Sequence, residues 1–251
     1  MNLYLSGILF FLFPLSIFAQ LDSIPFGRVT YIQTANTEGD ASKNGFTTLL
    51  FNNAQSIYIH NSAPKQDSSF SSGEYIYSNI FGDNEGFPIL KIHGARKLYC
   101  KIICPSFSKN HCIVTDTFGT IPWILHPEHK RFGQYDCRRA TGKYRGRDYE
   151  AWYTLDIPIP TGPFKLGGLP GLILEAQTLD GIVKFQFSSL EISPNIHGLI
   201  KMPSGKDIHM SQAAFNADFD AFNKSLLEMA KSKGVEVTIT PFETIELNTE
   251  N

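Results

Sequence analysis

The chain has 251 residues, 42% of them hydrophobic, 18% charged and 13% aromatic, with a formal net charge of -2. A chain of that length can bury about 70% of its unfolded surface in one large domain or two small ones. Its nearly balanced charge gives no pull toward nucleic acid or an anionic membrane surface. The 20 Phe and 10 Tyr residues favour strands.

Residues 1–19, MNLYLSGILFFLFPLSIFA, form an apolar run ending in a small residue before the polar Gln20. This reads as a secretory signal peptide cut between Ala19 and Gln20. Pro14 interrupts the run and no basic residue flanks it, which speaks against a membrane anchor. The expectation is a periplasmic or secreted protein with no integral span after cleavage and one domain over residues 20–251.

From Phe26 to Tyr99, short β-rich runs alternate with turn clusters: GRVTYIQTA, FTTLLFNN, AQSIYIHNS, GEYIYSNI and LKIHGARKLYCKIICP. Ile57 and Ile59 alternate with Ser56, Tyr58 and His60, the period of an antiparallel strand with one wet face. NSAPKQDSSFSSG reads as a polar loop. Further strands are expected in CIVTDT and IPWILH, then a hairpin with its turn at Thr141 and Gly142, and a second hairpin turning at Asp180 and Gly181. No 20- to 50-residue repeat occurs, which disfavours solenoids and propellers.

One helix is expected over SQAAFNADFDAFNKSLLEMAKSKG. Ser211 is its N-cap, Phe215, Phe219, Phe222, Leu226 and Met229 recur at helical spacing, and Gly234 stands where a left-handed residue ends a helix. Its apolar stripe needs the sheet as a partner, and GVEVTITPFETI returns as a final strand. The fold class is therefore α+β, mainly β: a curved, half-barrel-like antiparallel sheet packed against one long C-terminal helix.

In an oxidising compartment the four cysteines suggest disulfides. Cys100 and Cys104, if on one strand, stand about 13 Å apart and cannot pair. The favoured scheme is Cys104 to Cys112 and Cys100 to Cys137, with a metal site or free thiols as alternatives.

GPFKLGGLPGLILEA, residues 162–176, poses the main functional question. A phosphate loop places Lys and Ser or Thr after its last glycine, but Gly171 is followed by Leu172, Ile173 and Leu174. A dinucleotide loop needs a helix next, and here a strand and hairpin follow. The stretch reads instead as turns, with Pro170 and Gly171 at the centre of a type II turn that needs positive φ at Gly171.

Gly168 to Ile173, GLPGLI, together with the Cys137, Gly146-Arg147, Ala151-Trp152, Pro158 and Gly162-Pro163 elements upstream, resembles the GLPGLI family of exported gram-negative proteins. Trp123 fits a preceding part of the pattern. The resemblance implies an envelope component of no established activity, encoded near outer-membrane receptors or peptidases. It implies no catalytic residues and no cofactor, and it treats Cys137, Gly168, Pro170 and Gly171 as a structural motif.

Other constellations are weaker. His126, Glu128 and His129 have Pro127 among them and read as a surface loop, not a zinc motif; no metal is expected there, and His93, His111 and His209 are widely scattered. Arg138, Arg139, Lys143, Arg145 and Arg147 alternate faces in a hairpin, so Arg145, Arg147 and Trp152 are candidate ligand-binding residues, with a structural ion pair the competing role for Arg147. No nucleophile elbow occurs. The leading expectation is a non-enzymatic binding or accessory module for a peptide, an apolar ligand or an outer-membrane receptor, with no nucleic-acid partner. The alternative is a hydrolase or peptidase-associated enzyme with loop-borne residues around His126, Glu128 and Arg147.

Overall fold

A computed structural model of the chain describes residues 26–35, 45–60, 87–104, 111–192, 198–203 and 208–234. The expected signal peptide, the loop NSAPKQDSSFSSG, the run GEYIYSNI and all but Gly234 of the returning strand lie outside them. Six antiparallel strands follow one another as a meander: β1 (Gly27–Ala35), β2 (Gly45–Phe51), β3 (Gln55–His60), β4 (Ile89–Ile92), β5 (Lys97–Ile103) and β6 (His111–Thr117). A second meander holds β7 (Ile124–Phe132), β8 (Tyr135–Tyr144), β9 (Arg147–Thr154), β10 (Leu172–Thr178) and β11 (Val183–Ile192). β1 pairs with β11 along its length and joins the two meanders. The short β12 (Ile208–Ser211) adds to β6 in parallel, so the antiparallel rule has one exception. Among the described residues the result is one open sheet of twelve strands with β12 and β7 at its edges.

The sheet is curled. Phe132 of β7 packs edge-on to Phe187 of β11 with ring centroids 5.8 Å apart, although β8, β9 and β10 lie between them. In a flat sheet those strands would be about 19 Å apart. Alternation sets what each face buries. In β9, Arg147, Tyr149, Ala151 and Tyr153 point into the main core, while Asp148, Glu150 and Trp152 face the other way with more exposure. In β2, Leu49, Leu50 and Phe51 are all buried, because Leu50 joins a small second cluster with Ile57, Leu90 and Ile200 on the reverse face.

Two expectations about local structure are corrected. Gly142 does not turn the β8–β9 hairpin; it sits inside β8, where a Cβ would come within 2.9 Å of the Trp123 ring. The turn falls at Arg145 and Gly146, with φ of 46° and 81°, the two left-handed residues of a type I′ connection. LHPEHK is not a loop: its residues belong to β7. A register break between Leu125 and His129 lets this edge strand tolerate Pro127. The Asp180-Gly181 turn is present as expected, with Gly181 N–H donating to Thr178 O at 3.0 Å.

Helix α1 (Gln212–Ser232) starts where the sequence places it. Ser211 accepts from the Ala214 N–H at 3.1 Å, and Gly234 has φ of 66°. Its main contacts are with β6 and β12, at one end of the sheet, and none of its residues is fully buried.

Cys104 and Cys112 form a disulfide with Cα atoms 5.3 Å apart. The expected Cys100–Cys137 bond is absent, and both residues are buried thiols. Cys100 lies on β5 and Cys137 on β8, with seven strands between them in the sheet order, so the hairpin that pairs the first two cysteines has no counterpart for these. Burial pushes the Cys137 thiol up to about 12, with the charges of Asp136 and Asp156 adding to the effect.

Candidate functional site: a buried strap and a charged aromatic face

The glycine-rich stretch lies in the connection between β9 and β10, residues 155–171, which crosses the main core as a strap. It opens with Ile157-Pro158-Ile159-Pro160-Thr161. Ile159 N–H donates to Ile157 O and Thr161 N–H to Ile159 O, both at 2.8 Å. These are two successive three-residue turns centred on prolines, whose fixed φ suits that conformation. They bury Ile157 and Ile159 while Pro158 stays exposed. Thr161 then bridges to Gly167, and the enclosed loop carries Phe164 at φ 50°. A left-handed Phe is held only when its surroundings impose it; its ring sits edge-on to Tyr58, with centroids 6.5 Å apart.

The signature glycines make room for backbone. The expected type II turn is not formed, because Gly171 does not have positive φ. A Cβ on Gly171 would instead overlap the Thr154 carbonyl oxygen, so only glycine lets β9 and β10 close beneath the strap. Gly168 does have positive φ, 88°, and a Cβ there would approach Gly119 Cα to 2.9 Å. The chain then enters β10, where Leu172, Ile173 and Leu174 are all fully buried. A register shift between Ile173 and Glu175 accompanies the Ile173 carbonyl, which accepts from the Tyr31 hydroxyl at 2.7 Å.

Polar side chains beneath the strap hold it down. Lys91 Nζ, with the residue 0% exposed, donates to Gly162 O at 2.5 Å, Leu166 O at 3.1 Å and Thr161 Oγ1 at 3.4 Å. Three acceptors match the three N–H bonds of an ammonium. Burial nevertheless holds its pKa well below the usual lysine range. Thr161 Oγ1 lies 2.7 Å from Ser56 Oγ, which lies 3.0 Å from His93 Nε2, while His93 Nδ1 lies 3.1 Å from Asn53 O. On the other side, Trp123 Nε1–H donates to Gly167 O at 2.9 Å. No sequence spacing announces this cluster, since Ser56, Lys91, His93 and Thr161 come from β3, β4, the turn after it and the strap.

The candidate ligand-binding residues lie outside that cluster. Arg145 pairs with Asp116 and stacks on Tyr144. Arg147, buried, pairs with Asp180 and so ties the β8–β9 turn to the β10–β11 turn. Trp152 lies on the opposite face from Arg147, among charges. Its Nε1–H donates to Glu150 at 3.3 Å, and Lys130 Nζ stands 5.5 Å from its ring while bonding Glu175 at 2.7 Å. Arg139 bonds Glu150 at 2.6 Å and Glu128 at 3.3 Å. Burial works against charge on Glu150, but bonds from Arg139, Trp152 and Gln177 outweigh it and hold the carboxyl below its ordinary range. His126 meets Thr141 at 2.7 Å and His129 meets Asp136 at 2.8 Å. His126, Glu128 and Arg147 thus join three separate pairs. Among the described residues, no group of three His, Cys, Asp or Glu is placed to hold a metal ion, and no helix is long and apolar enough to cross a membrane.

Among solved structures, the chain is similar to PNGF-II. The match has 13% identity and a TM-score of 0.54, covering 79% of this chain and 33% of that one; a second crystal form gives 12% and 0.53. The chain thus spans about a third of the length of that protein, and the likeness is one of fold. An uncharacterised conserved protein from Thermus thermophilus aligns at 8% identity and TM-score 0.40, over 76% of this chain and 93% of that one. The LolA superfamily protein NE2245 from Nitrosomonas europaea aligns at 11% and 0.31, over 72% and 89%. No curated protein matches the chain in sequence. One family model, described as "Protein of unknown function (Porph_ging)", matches residues 145–175, the turn, strand and strap that carry the resemblance to the GLPGLI family.

Proposed function

We propose that the protein is an exported, non-catalytic binding module of the cell envelope, formed by residues 20–251 after removal of residues 1–19. It presents the Trp152 face of β7–β10 to a peptide, an apolar ligand or an outer-membrane receptor. The observation that carries this reading is the sealing of Ser56 and His93. This hydroxyl–imidazole pair has its base oriented by a carbonyl, but Ser56 is 0% exposed beneath the strap. A nucleophile must meet its substrate. The Trp152 face offers what recognition uses: a partly exposed indole at the margin of the core, with acceptors and cations on either side and a curl that cups it. The Cys104–Cys112 disulfide supports an oxidising compartment. Strand addition at the sheet edges is disfavoured, since β12 has only four residues and β7 carries Pro127, a register break and charges.

The test is a titration of the mature protein with a panel of peptides and fatty acids, followed by calorimetry and repeated with Trp152→Ala. Saturable binding lost in that variant supports the proposal. Turnover of an ester or peptide substrate that Ser56→Ala abolishes overturns it.

A further inference from the structure

The polar contacts under the strap form a chain whose proton positions are fixed by its two ends. Asn53 O is an acceptor, so His93 Nδ1 must carry a hydrogen, and a neutral ring then leaves Nε2 as acceptor. Ser56 O–H therefore donates to Nε2, Thr161 O–H donates to Ser56 Oγ, and Thr161 Oγ1 accepts from Lys91. Every link is satisfied when the chain carries one positive charge, on Lys91. A proton added to His93 puts a hydrogen on Nε2, so that Ser56 must turn its own toward Thr161. Thr161 then receives two donors, and its own hydrogen has no acceptor within the chain. The second charge also stands close to the first in a buried setting, where it is weakly screened.

We propose that this chain is a one-charge latch on the strap, and that a second proton releases residues 155–171 from the core. The groups facing His93 leave little to offset that charge. β4 supplies Lys91, and β5 supplies Cys100 beside Lys91. β3 supplies Ser56, the strap supplies Thr161, and the link after β6 supplies the Phe118 ring, 5.8 Å from the imidazole. Arg96, in the turn after His93, sends its guanidinium to Gly119 O. Among the described residues no carboxylate is bonded to His93 or Lys91. Burial, aided by the Lys91 charge and only partly opposed by the Asn53 bond, pushes the imidazole down to about 4.

The sign follows from that direction. An opened strap returns His93 to its ordinary value of about 6.5, so the open form binds the proton more tightly. The latch is at full strength above about pH 6.5 and weakens as pH falls toward 4. Release uncovers the Tyr58 ring, against which Phe164 packs, and opens the apolar wall of the core.

Amide exchange of Thr161, Leu166 and Gly168, which donate within the strap, tests this. After correction for intrinsic exchange, the opening constant should rise about twentyfold between pH 7 and pH 5, with amides of the β8–β9 pair as the internal reference. In His93→Gln, whose amide can replace both ring bonds without titrating, the rise should fall below about threefold. Ser56→Ala, which leaves His93 buried beside Lys91 but cuts its hydrogen-bonded link to the strap, should raise the opening constant at pH 7 while keeping the rise that burial of His93 causes. A strap no more pH-dependent than the β8–β9 amides, or the same rise in His93→Gln, overturns the proposal.

Discussion

The strap and helix α1 are similar in length and opposite in character. The strap, residues 155–171, has little regular secondary structure, yet ten of its 17 residues are buried; the 21-residue helix buries none. Regular hydrogen bonding and burial are therefore supplied by different parts of this chain. The strap's place is specified by contacts with distant strands, whereas the helix depends on its own caps and on what it touches at the β6 and β12 end, with Phe215 on the core and Gln212 accepting from strap Lys165 at 3.4 Å. A change in the strap should reach the whole molecule, and a change in the helix should stay local.

The largest effect should come from Gly171→Ala. If glycine served only a turn with positive φ, alanine would cost about 1 kcal/mol. Overlap with the Thr154 carbonyl forces β9 and β10 apart, so we expect about 3 kcal/mol or more in denaturant unfolding. A loss near the smaller figure would return the stretch to ordinary turn chemistry and weaken the contrast with the helix.

On the helix side of the sheet, the Cys104–Cys112 bond joins β6 to the end of β5, next to β12. Replacing both cysteines by alanine removes a short cross-link, worth about 2.5 kcal/mol in the chain-entropy account. The Trp123 indole bond to Gly167, followed by NMR, should persist in that variant at neutral pH. Lys91→Met should act the other way round. It leaves Gly162 O and Leu166 O without their donor while removing the cost of a buried charge, a net loss of about 2 kcal/mol. Here the Trp123 indole should exchange faster and the helix amides should not.

The same two regions show what could be read in advance. The helix was legible because its signals are local: Ser211, the phenylalanine spacing and Gly234 all lie within one segment. Most strands were legible by alternation, and the strap's loop character by its prolines and glycines. The reason for Gly171 was not, because the atom it must avoid belongs to Thr154, on the neighbouring strand. The Lys91, Ser56, His93 and Thr161 cluster was hidden for the same reason, its members meeting only once four parts of the fold are in place. The misplaced hairpin turn has a related cause. Gly142 looks like a turn residue, but Trp123 needs its missing side chain, and the turn moved to Arg145-Gly146. The Cys100–Cys137 pairing failed because parity of cysteines carries no information about strand order.

The smallest expected effect is the sharpest test of the contrast. Ser211→Ala removes the side-chain acceptor for Ala214 N–H and should cost the helix about 1 kcal/mol. In a helix packed into the core, that loss would appear in full in global unfolding. Because α1 has no fully buried residue and meets the core through Phe215 and the strap through Gln212, both near its start, most of it can open without disturbing the sheet. Protection of helix amides should therefore fall about fivefold, while the denaturation midpoint followed by Trp123, beside the strap, stays within error. A matching drop in both would mean that the helix and the sheet unfold as one cooperative unit, and the division of labour between strap and helix would not hold.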